Sequence, residues 1–402
     1  MRRLLGLIRR AYLRIGMHTA PPGTLLFYAH RSIHSVMYSG RLRHASRFAM
    51  RRSRYGGTFY YDIVRARRTR QVDGIALIFF MGIGDYLMAT PLIEELHLAH
   101  PDLPIYAYSS SNADSVNSPL VYQLLRANPV FDRVFSFRGR PGWQWVDYDF
   151  RDALANVPEN FLILPVIYES VADISHRETA LLETFGLPVK LPVRGPILHT
   201  SGDLTEPAKA ILSRIRQRIQ ASSAHRVVCC HFGARSSGYV YPHIDQLVRR
   251  LLSEDCLVVS FTKPGFEDDN LIEIDVTSIT PNDTILLLKA LKAEQPPLYI
   301  VSVNSLMWPI SAGLDIPNLG MHVFLDHSVH QYLYPNIFVI TQYNYERISA
   351  SRLFLTPMGK YDVSLSKSRV EFADFDPEFV TDCFLRVTAQ VSCCGRSLTG
   401  HG

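Results

Sequence analysis

The stretch that decides the fold is "IALIFFMGIGDYLMATPLIEELHLAH", residues 75–100. Residues 75–80 are all apolar, and such a run is typical of a strand buried on both faces. Gly82 and Gly84 follow, and they indicate a tight turn because glycine adopts backbone conformations that other residues resist. Residues 85–100 then predict a helix. A strand, a turn and a helix in this order begin a βαβ unit, so the stretch predicts a parallel sheet.

Strand-like and helix-like segments alternate along most of the remaining chain. The other runs predicted as strands are 104–110, 132–137, 161–166, 226–233, 256–262, 298–304, 316–324 and 336–341. Residues 188–207 interrupt this alternation; they are rich in Pro and Gly and predict a linker. The sequence therefore predicts an α/β protein with two doubly wound, Rossmann-like parallel sheets. Ligands bind such sheets beyond the carboxyl ends of the strands, so we expect the two domains to face each other across a ligand cleft.

Positive charge is concentrated at the N-terminus. The chain of 402 residues has a formal net charge of +5, yet residues 1–70 contain many arginines and a single acid, Asp62. Residues 1–16, "MRRLLGLIRRAYLRIG", place apolar residues on one helical face and arginines on another, which predicts a basic amphipathic helix lying on an anionic membrane surface. A solvated tail, an Arg-rich transit peptide and a nucleic-acid-binding arm remain alternatives. No RNA-binding or zinc-finger motif accompanies the arginines, so we expect no nucleic-acid partner.

The six cysteines and the scattered histidines do not predict a metal site. The sequence has no C-x-x-C, and residues 229–230 and 393–394 are adjacent cysteine pairs. This pattern indicates reduced, buried thiols and a cytosolic compartment. The D-x-D triplet at 147–149 and the histidine-rich stretch 322–330 lack the ligand spacing of known metal motifs. We therefore expect neither a metal ion nor an organic cofactor.

Asp85 is the candidate functional residue of the quoted stretch. Its G-x-G-D spacing differs from the G-x-G-x-x-G of dinucleotide-binding turns, and no P-loop lysine follows, so both of those sites are excluded. The start of the following helix favours an anionic ligand, because its free N–H groups and its dipole are positive. From the residues alone, Asp85 is either an N-cap of this helix, a common use of Asp, or a carboxylate that takes a proton from a substrate.

Residues 79–110 and 124–137 resemble the N-terminal domain of the family 9 glycosyltransferases, the heptosyltransferases of lipopolysaccharide inner-core synthesis. The matching positions are Gly82, Gly84, Asp85, Leu87, Thr90, Pro91, Pro101, Asp102, Asn128, Pro129, Asp132, Arg133 and Val134. The linker and the second alternating half also fit this family, so the resemblance extends over residues 74–345. It implies the GT-B fold, in which two Rossmann-like domains face each other across a cleft.

The resemblance also implies a function and a division of the chain. Asp85 is expected to be the general base of an inverting, metal-independent transfer of a heptose-like sugar. The implied donor is a nucleotide-diphosphate sugar such as ADP-heptose, and the implied acceptor is lipopolysaccharide or another envelope glycan. We expect the enzyme to be peripheral on the inner face of the cytoplasmic membrane. The expected divisions are a basic arm (1–72), an acceptor domain (73–200), a nucleotide-sugar domain (201–350) and an extension whose helix packs back (351–402).

The second half matches this family less closely, which keeps other functions open. The site residues that the resemblance implies are Gly82 and Gly84 in an acceptor or phosphate loop, and Gly233, Arg235, Asn304 and Ser305 at the donor. Tyr239 stands where the family has a phosphate-binding lysine, Leu306 where it has a glycine and Pro309 where it has a histidine. A non-catalytic GT-B relative that binds a glycan or a nucleotide is therefore one alternative, and a sugar-nucleotide epimerase is another.

Overall fold

The structure is a computed structural model that describes residues 50–52, 59–79, 82–110, 117–137, 156–166, 182, 185–188, 195–233, 240–303, 305–322, 334, 336–341 and 375–398. Arg235, Asn304 and most of the basic arm lie outside these residues. The described part of the chain forms two compact units.

The packed part of the first unit includes residues that the basic composition of the N-terminus had assigned to the arm. Strands β1 (Met50–Arg52) and β2 (Phe59–Tyr61) pair antiparallel, and helix α1 (Ile63–Thr69) follows them. Tyr61 and Ile63 are buried, and the Tyr61 ring centroid lies 4.9 Å from that of Phe185. Residues from 61 onward therefore pack as part of the first unit, although the sequence assigned them to the arm.

The first unit is built on a parallel sheet of four strands. Its strands are β3 (Gly74–Phe79), β4 (Ile105–Ser110), β5 (Arg133–Phe137) and β6 (Phe161–Val166), in the order β5-β4-β3-β6. The chain moves outward from β3 to β5 and then returns to the other side of β3, which is the doubly wound arrangement. β3 is buried along its whole length, which accounts for its unbroken apolar run.

Helix α2 (Ile83–Ala99) follows β3 and is divided between the two units. Its start, Gly82–Pro91, belongs to the second unit. Residues Pro119–Pro129, which include most of helix α3 (Asn117–Ala127), also belong to the second unit. All residues from 86 to 93 are buried, so this part of α2 is apolar all round rather than amphipathic.

The second unit is built on a parallel sheet of six strands. They are β7 (Arg226–His231), β8 (Cys256–Ser260), β9 (Leu271–Glu273), β10 (Leu298–Val303), β11 (Asn318–His322) and β12 (Ile337–Thr341), in the order β12-β11-β10-β7-β8-β9. The order reverses between β7 and β10, which makes their carboxyl ends the switch point where ligands of such sheets bind. Strand β9 was not predicted from the sequence, because the strand is short and only its middle residue is buried.

Five helices accompany this sheet in the described residues. They are α4 (Glu206–Ala221), α5 (Ile244–Ser253), α6 (Pro281–Lys292), α7 (Met307–Leu314) and α8 (Pro377–Leu398). Val380 and Phe384 of α8 share a buried cluster with Leu247 of α5, and the Tyr241 hydroxyl donates to Phe375 O at 2.8 Å just before α8. The C-terminal helix is thus part of the core of the second unit. Within the described residues, no helix is both long and apolar enough to cross a bilayer.

Candidate functional site

Asp85 lies in the first turn of α2, two positions inside the helix. The helix begins where Tyr86 N donates to Gly82 O at 3.0 Å, so Gly82 is the N-cap and Asp85 is at position N3. The N-cap interpretation of Asp85 is therefore wrong. The partly exposed carboxylate lies over the start of the helix, because a Cβ built on Gly82 would be 3.6 Å from Asp85 Oδ2. An acid at N3 interacts favourably with the positive end of the helix dipole.

The turn that carries Asp85 packs against the turn that begins α7. A Cβ built on Gly84 would lie 3.7 Å from Pro309 Cγ and 3.9 Å from Leu306 Cα, which are ordinary contact distances. Both turns belong to the second unit. The turn that contains Gly82 and Gly84 is thus beside the turn after β10, at the switch point of the six-stranded sheet.

The first turn of α7 uses its own N–H groups locally. Ser305 Oγ accepts from Met307 N at 3.3 Å, and Ser305 O accepts from Trp308 N at 3.2 Å. The next residue, Pro309, has no N–H group. Ser305, a predicted donor contact, therefore closes the helix start, which leaves its hydroxyl proton as the group it can offer to a ligand.

Helix α7 itself is held rigidly by its other contacts. The Trp308 ring packs on Gly320 of β11, where a Cβ would come within 2.3 Å of Trp308 Cζ2. At the far end of the helix, Asn336 Nδ2 donates to Ser311 O at 2.7 Å, and Asn318 Nδ2 donates to Ser311 Oγ at 2.9 Å. Ser311, Asn318 and Asn336 are buried, and hydrogen bonds between buried polar groups favour a single arrangement.

Gly233, a predicted donor contact, is bonded to the turn after the neighbouring strand β8. Thr262 Oγ1 accepts from Phe232 N at 2.9 Å and from Gly233 N at 3.1 Å. One hydroxyl thus joins the turn after β7 to the turn after β8 and retains a proton to donate. Sequence reasoning missed Thr262, because its role depends on the pairing of β7 with β8 and no local motif marks it.

His231 lies at the carboxyl end of β7, next to Ser302 of β10 in the strand register. Burial lowers the pKa of His231 to about 4, so the imidazole is neutral at pH 7 and offers hydrogen bonding rather than charge. Its Nδ1 is buried and has no hydrogen-bond partner among the described residues. No sequence motif distinguishes this histidine from the others.

The cysteines whose side chains the structure describes are buried and unreactive, and the described residues do not form a metal site. Burial raises the pKa of Cys229 to about 12 and that of Cys256 to about 11, so these thiols stay protonated and are not nucleophiles at neutral pH. Cys229, Cys230, Cys256 and Cys383 are free and buried, as the sequence predicts. In the described residues, no three His, Cys, Asp or Glu side chains are grouped as metal ligands would be.

Comparisons with known proteins identify the fold. No protein-family model and no curated protein sequence matches the chain. The structure is similar to a family 9 glycosyl transferase from Veillonella parvula, with a TM-score of 0.55, 10% identity, and coverage of 80% of this chain and 98% of that one. It is also similar to ADP-heptose lipopolysaccharide heptosyltransferase II of E. coli, with a TM-score of 0.51, 15% identity, and coverage of 79% and 99%. The predicted fold, GT-B with two Rossmann-like parallel-sheet domains, is thereby confirmed.

Proposed function

We propose that this protein is a glycosyltransferase that moves a heptose-like sugar from a nucleotide-diphosphate donor to an envelope glycan, with inversion at the anomeric carbon. The observation that carries this proposal is the location of Asp85. The partly exposed carboxylate lies in the first turn of α2, and that turn packs beside the switch point of a six-stranded Rossmann-like sheet. Both similar structures described above are glycosyltransferases, one of them named for ADP-heptose.

The proposed reaction is a single displacement. The Asp85 carboxylate accepts the proton of an acceptor hydroxyl while that oxygen attacks the anomeric carbon of the donor. The bond between this carbon and the diphosphate oxygen breaks, and the nucleoside diphosphate leaves with the electron pair. A positioned carboxylate base contributes about 10²- to 10⁴-fold to such a step.

The donor is proposed to lie at the turns after β7 and β10. Gly233 permits close approach of a phosphate, and the hydroxyls of Thr262 and Ser305 each retain a proton to donate. Arg235 and Asn304 are proposed as further donor contacts. GT-B transfer neutralises the leaving diphosphate with helix dipoles and basic side chains, so we propose that no metal ion is needed.

A second function, a non-catalytic module that binds a glycan or a nucleotide, has one observation in its favour. Leu306 and Pro309 present apolar surface to Gly84, and the N–H groups of Met307 and Trp308 are already bonded within the helix start. A site of this kind holds an anion less firmly than a helix start with free N–H groups.

The experiment begins with a thermal-shift panel of nucleotide-sugars, since a donor at a hundred times its Kd stabilises by about 2.7 kcal/mol. With a donor identified, transfer to lipopolysaccharide precursors is followed by mass spectrometry in the parent and in Asp85→Asn. We expect Asp85→Asn to retain donor binding and to lose about 10²- to 10⁴-fold in rate. Glu206→Gln, which removes an exposed first-turn acid of α4, is the matched control and should keep the parental rate. Donor binding without transfer in the parent would favour the non-catalytic alternative.

Membrane attachment through the basic arm also remains a proposal. The arm supplies many arginines before residue 71, and basic residues near an anionic bilayer contribute about 1 kcal/mol each. This attachment would bring a soluble sugar donor and a lipid-linked acceptor to the same surface on the inner face of the cytoplasmic membrane.

A further inference from the structure

Thr90, five residues beyond Asp85 on α2, makes one hydrogen bond within the helix and one to a distant segment. It is 1% exposed. Its hydroxyl donates to Leu87 O at 2.7 Å and accepts from Ile197 N at 2.8 Å. The carbonyl of Leu87 would normally bond residue 91, but Pro91 has no N–H group, so the Thr90 hydroxyl replaces the missing helix bond. Both bonding directions of the hydroxyl are therefore used.

The partner segment, Gly195–Leu198, lies against α7 without room for further side chains; we name it the strap. A Cβ built on Gly313 of α7 would lie 2.5 Å from Pro196 O and 2.7 Å from Leu198 Cγ. A Cβ built on Gly195 would lie 3.0 Å from Ala312 O. Distances this short show that the strap and α7 touch through backbone atoms, so their separation is fixed.

These contacts link the start of α2 to α7 by two routes. One is direct, from Gly84 to Pro309 and Leu306. The other runs from Thr90 through Ile197 to the strap and from the strap to Gly313. Two contact points on one helix fix both its distance and its rotation relative to a neighbour, whereas the Gly84 contact alone leaves the rotation of α2 unspecified.

We infer that Thr90 is a positioning residue for Asp85, and that it acts by fixing the N-terminal part of α2 on the strap. This inference rests on the proposed function. Asp85 and Thr90 are five residues apart, or about 7.5 Å along the helix axis, so a rotation or shift at Thr90 moves the carboxylate directly. Thr90 is buried and bonded on both sides, so it is not a substrate contact. A misplacement of about 1 Å at a reacting group can cost about 100-fold in rate.

The test compares three variants of the full-length protein. Thr90→Val keeps the shape and removes both bonds, whereas Thr90→Ser keeps the hydroxyl. Thr388→Val is the matched control: Thr388 of α8 is 3% exposed and its hydroxyl donates to Leu385 O at 2.8 Å, but it bonds no separate segment. We expect Thr90→Val to lose about 10- to 100-fold in kcat with donor KM unchanged, and the other two variants to keep the parental kcat.

A double variant separates positioning from simple destabilisation. If Thr90 acts through Asp85, then Thr90→Val combined with Asp85→Asn is no slower than Asp85→Asn alone, because the group being positioned is already lost. Losses that multiply in the double variant would overturn the inference. Hydrogen exchange at the Ile197 amide should accelerate in Thr90→Val and remain slow in Thr90→Ser.

The outcomes distinguish this inference from the proposed function. A parent protein that transfers no sugar overturns the proposed function and the positioning role together. An active parent whose Thr90→Val variant keeps its kcat overturns the positioning role alone. Should Thr90→Val fail to fold, Thr90→Ser decides, because a folded Thr90→Ser enzyme with a ten-fold lower kcat would contradict a role for the hydroxyl.

Discussion

The buried carboxylate of Asp283 joins the first turns of α4 and α6, and its removal should destabilise the second unit by a calculable amount. One oxygen accepts from Thr205 N at 2.9 Å. The other accepts from Thr280 N at 2.9 Å and from Thr280 Oγ1 at 2.8 Å. Thr205 is the N-cap of α4 and Thr280 the N-cap of α6. Asp283 is 0% exposed, so water cannot replace it.

The expected magnitude follows from this bonding. Asp283→Asn keeps the volume but converts one accepting oxygen into an amide nitrogen, so one partly buried backbone N–H group loses its acceptor, at a cost of about 1–3 kcal/mol. The remaining bonds lose a charged acceptor, which raises the expected total to about 2–4 kcal/mol. Asp275→Asn is the control, because Asp275 accepts two bonds from Thr277 but is exposed; we expect a clearly smaller loss of stability there, since water can replace those bonds.

The assay is urea unfolding followed by Trp308 fluorescence. Trp308 is buried in the second unit, and replacing Trp143 and Trp145 with Phe makes it the only tryptophan of the chain. The unfolding free energy of Asp283→Asn and of Asp275→Asn is compared with that of this parent at pH 7. Equal losses in the two variants, or a loss below 1 kcal/mol in Asp283→Asn, would refute the reasoning.

The same carboxylate predicts a pH dependence. Burial by itself raises the pKa of Asp283, but the hydrogen bonds from Thr205 and Thr280 outweigh burial and hold the pKa below its usual range. A group with a lowered folded-state pKa contributes stability that is fully present above its unfolded pKa of about 3.9 and is lost as the pH falls through the folded value. The difference in stability between the parent and Asp283→Asn should therefore be constant near neutral pH and shrink below about pH 4.

Three further predictions concern packing, metal and membrane. Gly320→Ala places a Cβ about where the Trp308 ring now lies, so it should destabilise by about 1–3 kcal/mol and alter Trp308 fluorescence; an unchanged melting temperature would contradict this packing. Sugar transfer should be insensitive to EDTA, since helix dipoles and cationic side chains are proposed to neutralise the diphosphate; loss of activity restored by magnesium or manganese would reverse this. Deleting residues 1–20 should lower sedimentation with anionic vesicles, and salt should weaken binding of the intact protein. Equal sedimentation of both proteins would exclude the arm as a membrane anchor.

The sequence by itself determined the class of fold and the location of the candidate site along the chain. Unbroken apolar runs such as residues 75–79 occur where a strand is covered on both faces, and this physical requirement is local enough to read without a structure. The spacing of Gly82, Gly84 and Asp85 likewise marks a turn between strand and helix, because glycine is needed where the backbone turns sharply. The strand is present as predicted, whereas the helix begins at Ile83, so Gly84 and Asp85 lie within its first turn and not in the turn before it.

Only the tertiary structure decided how the parts of the site are held. Asp85 is at N3 rather than at the N-cap because the helix begins with the bond from Tyr86 to Gly82, a difference of a few residues that apolar periodicity cannot resolve. The bonds from Gly233 to Thr262 and from Ile197 to Thr90 join residues far apart in sequence. Each exists because strand pairing or helix packing brings a hydroxyl to a backbone N–H group. The sequence does not show which distant N–H group a threonine hydroxyl will bond, because that pairing depends on how the chain packs.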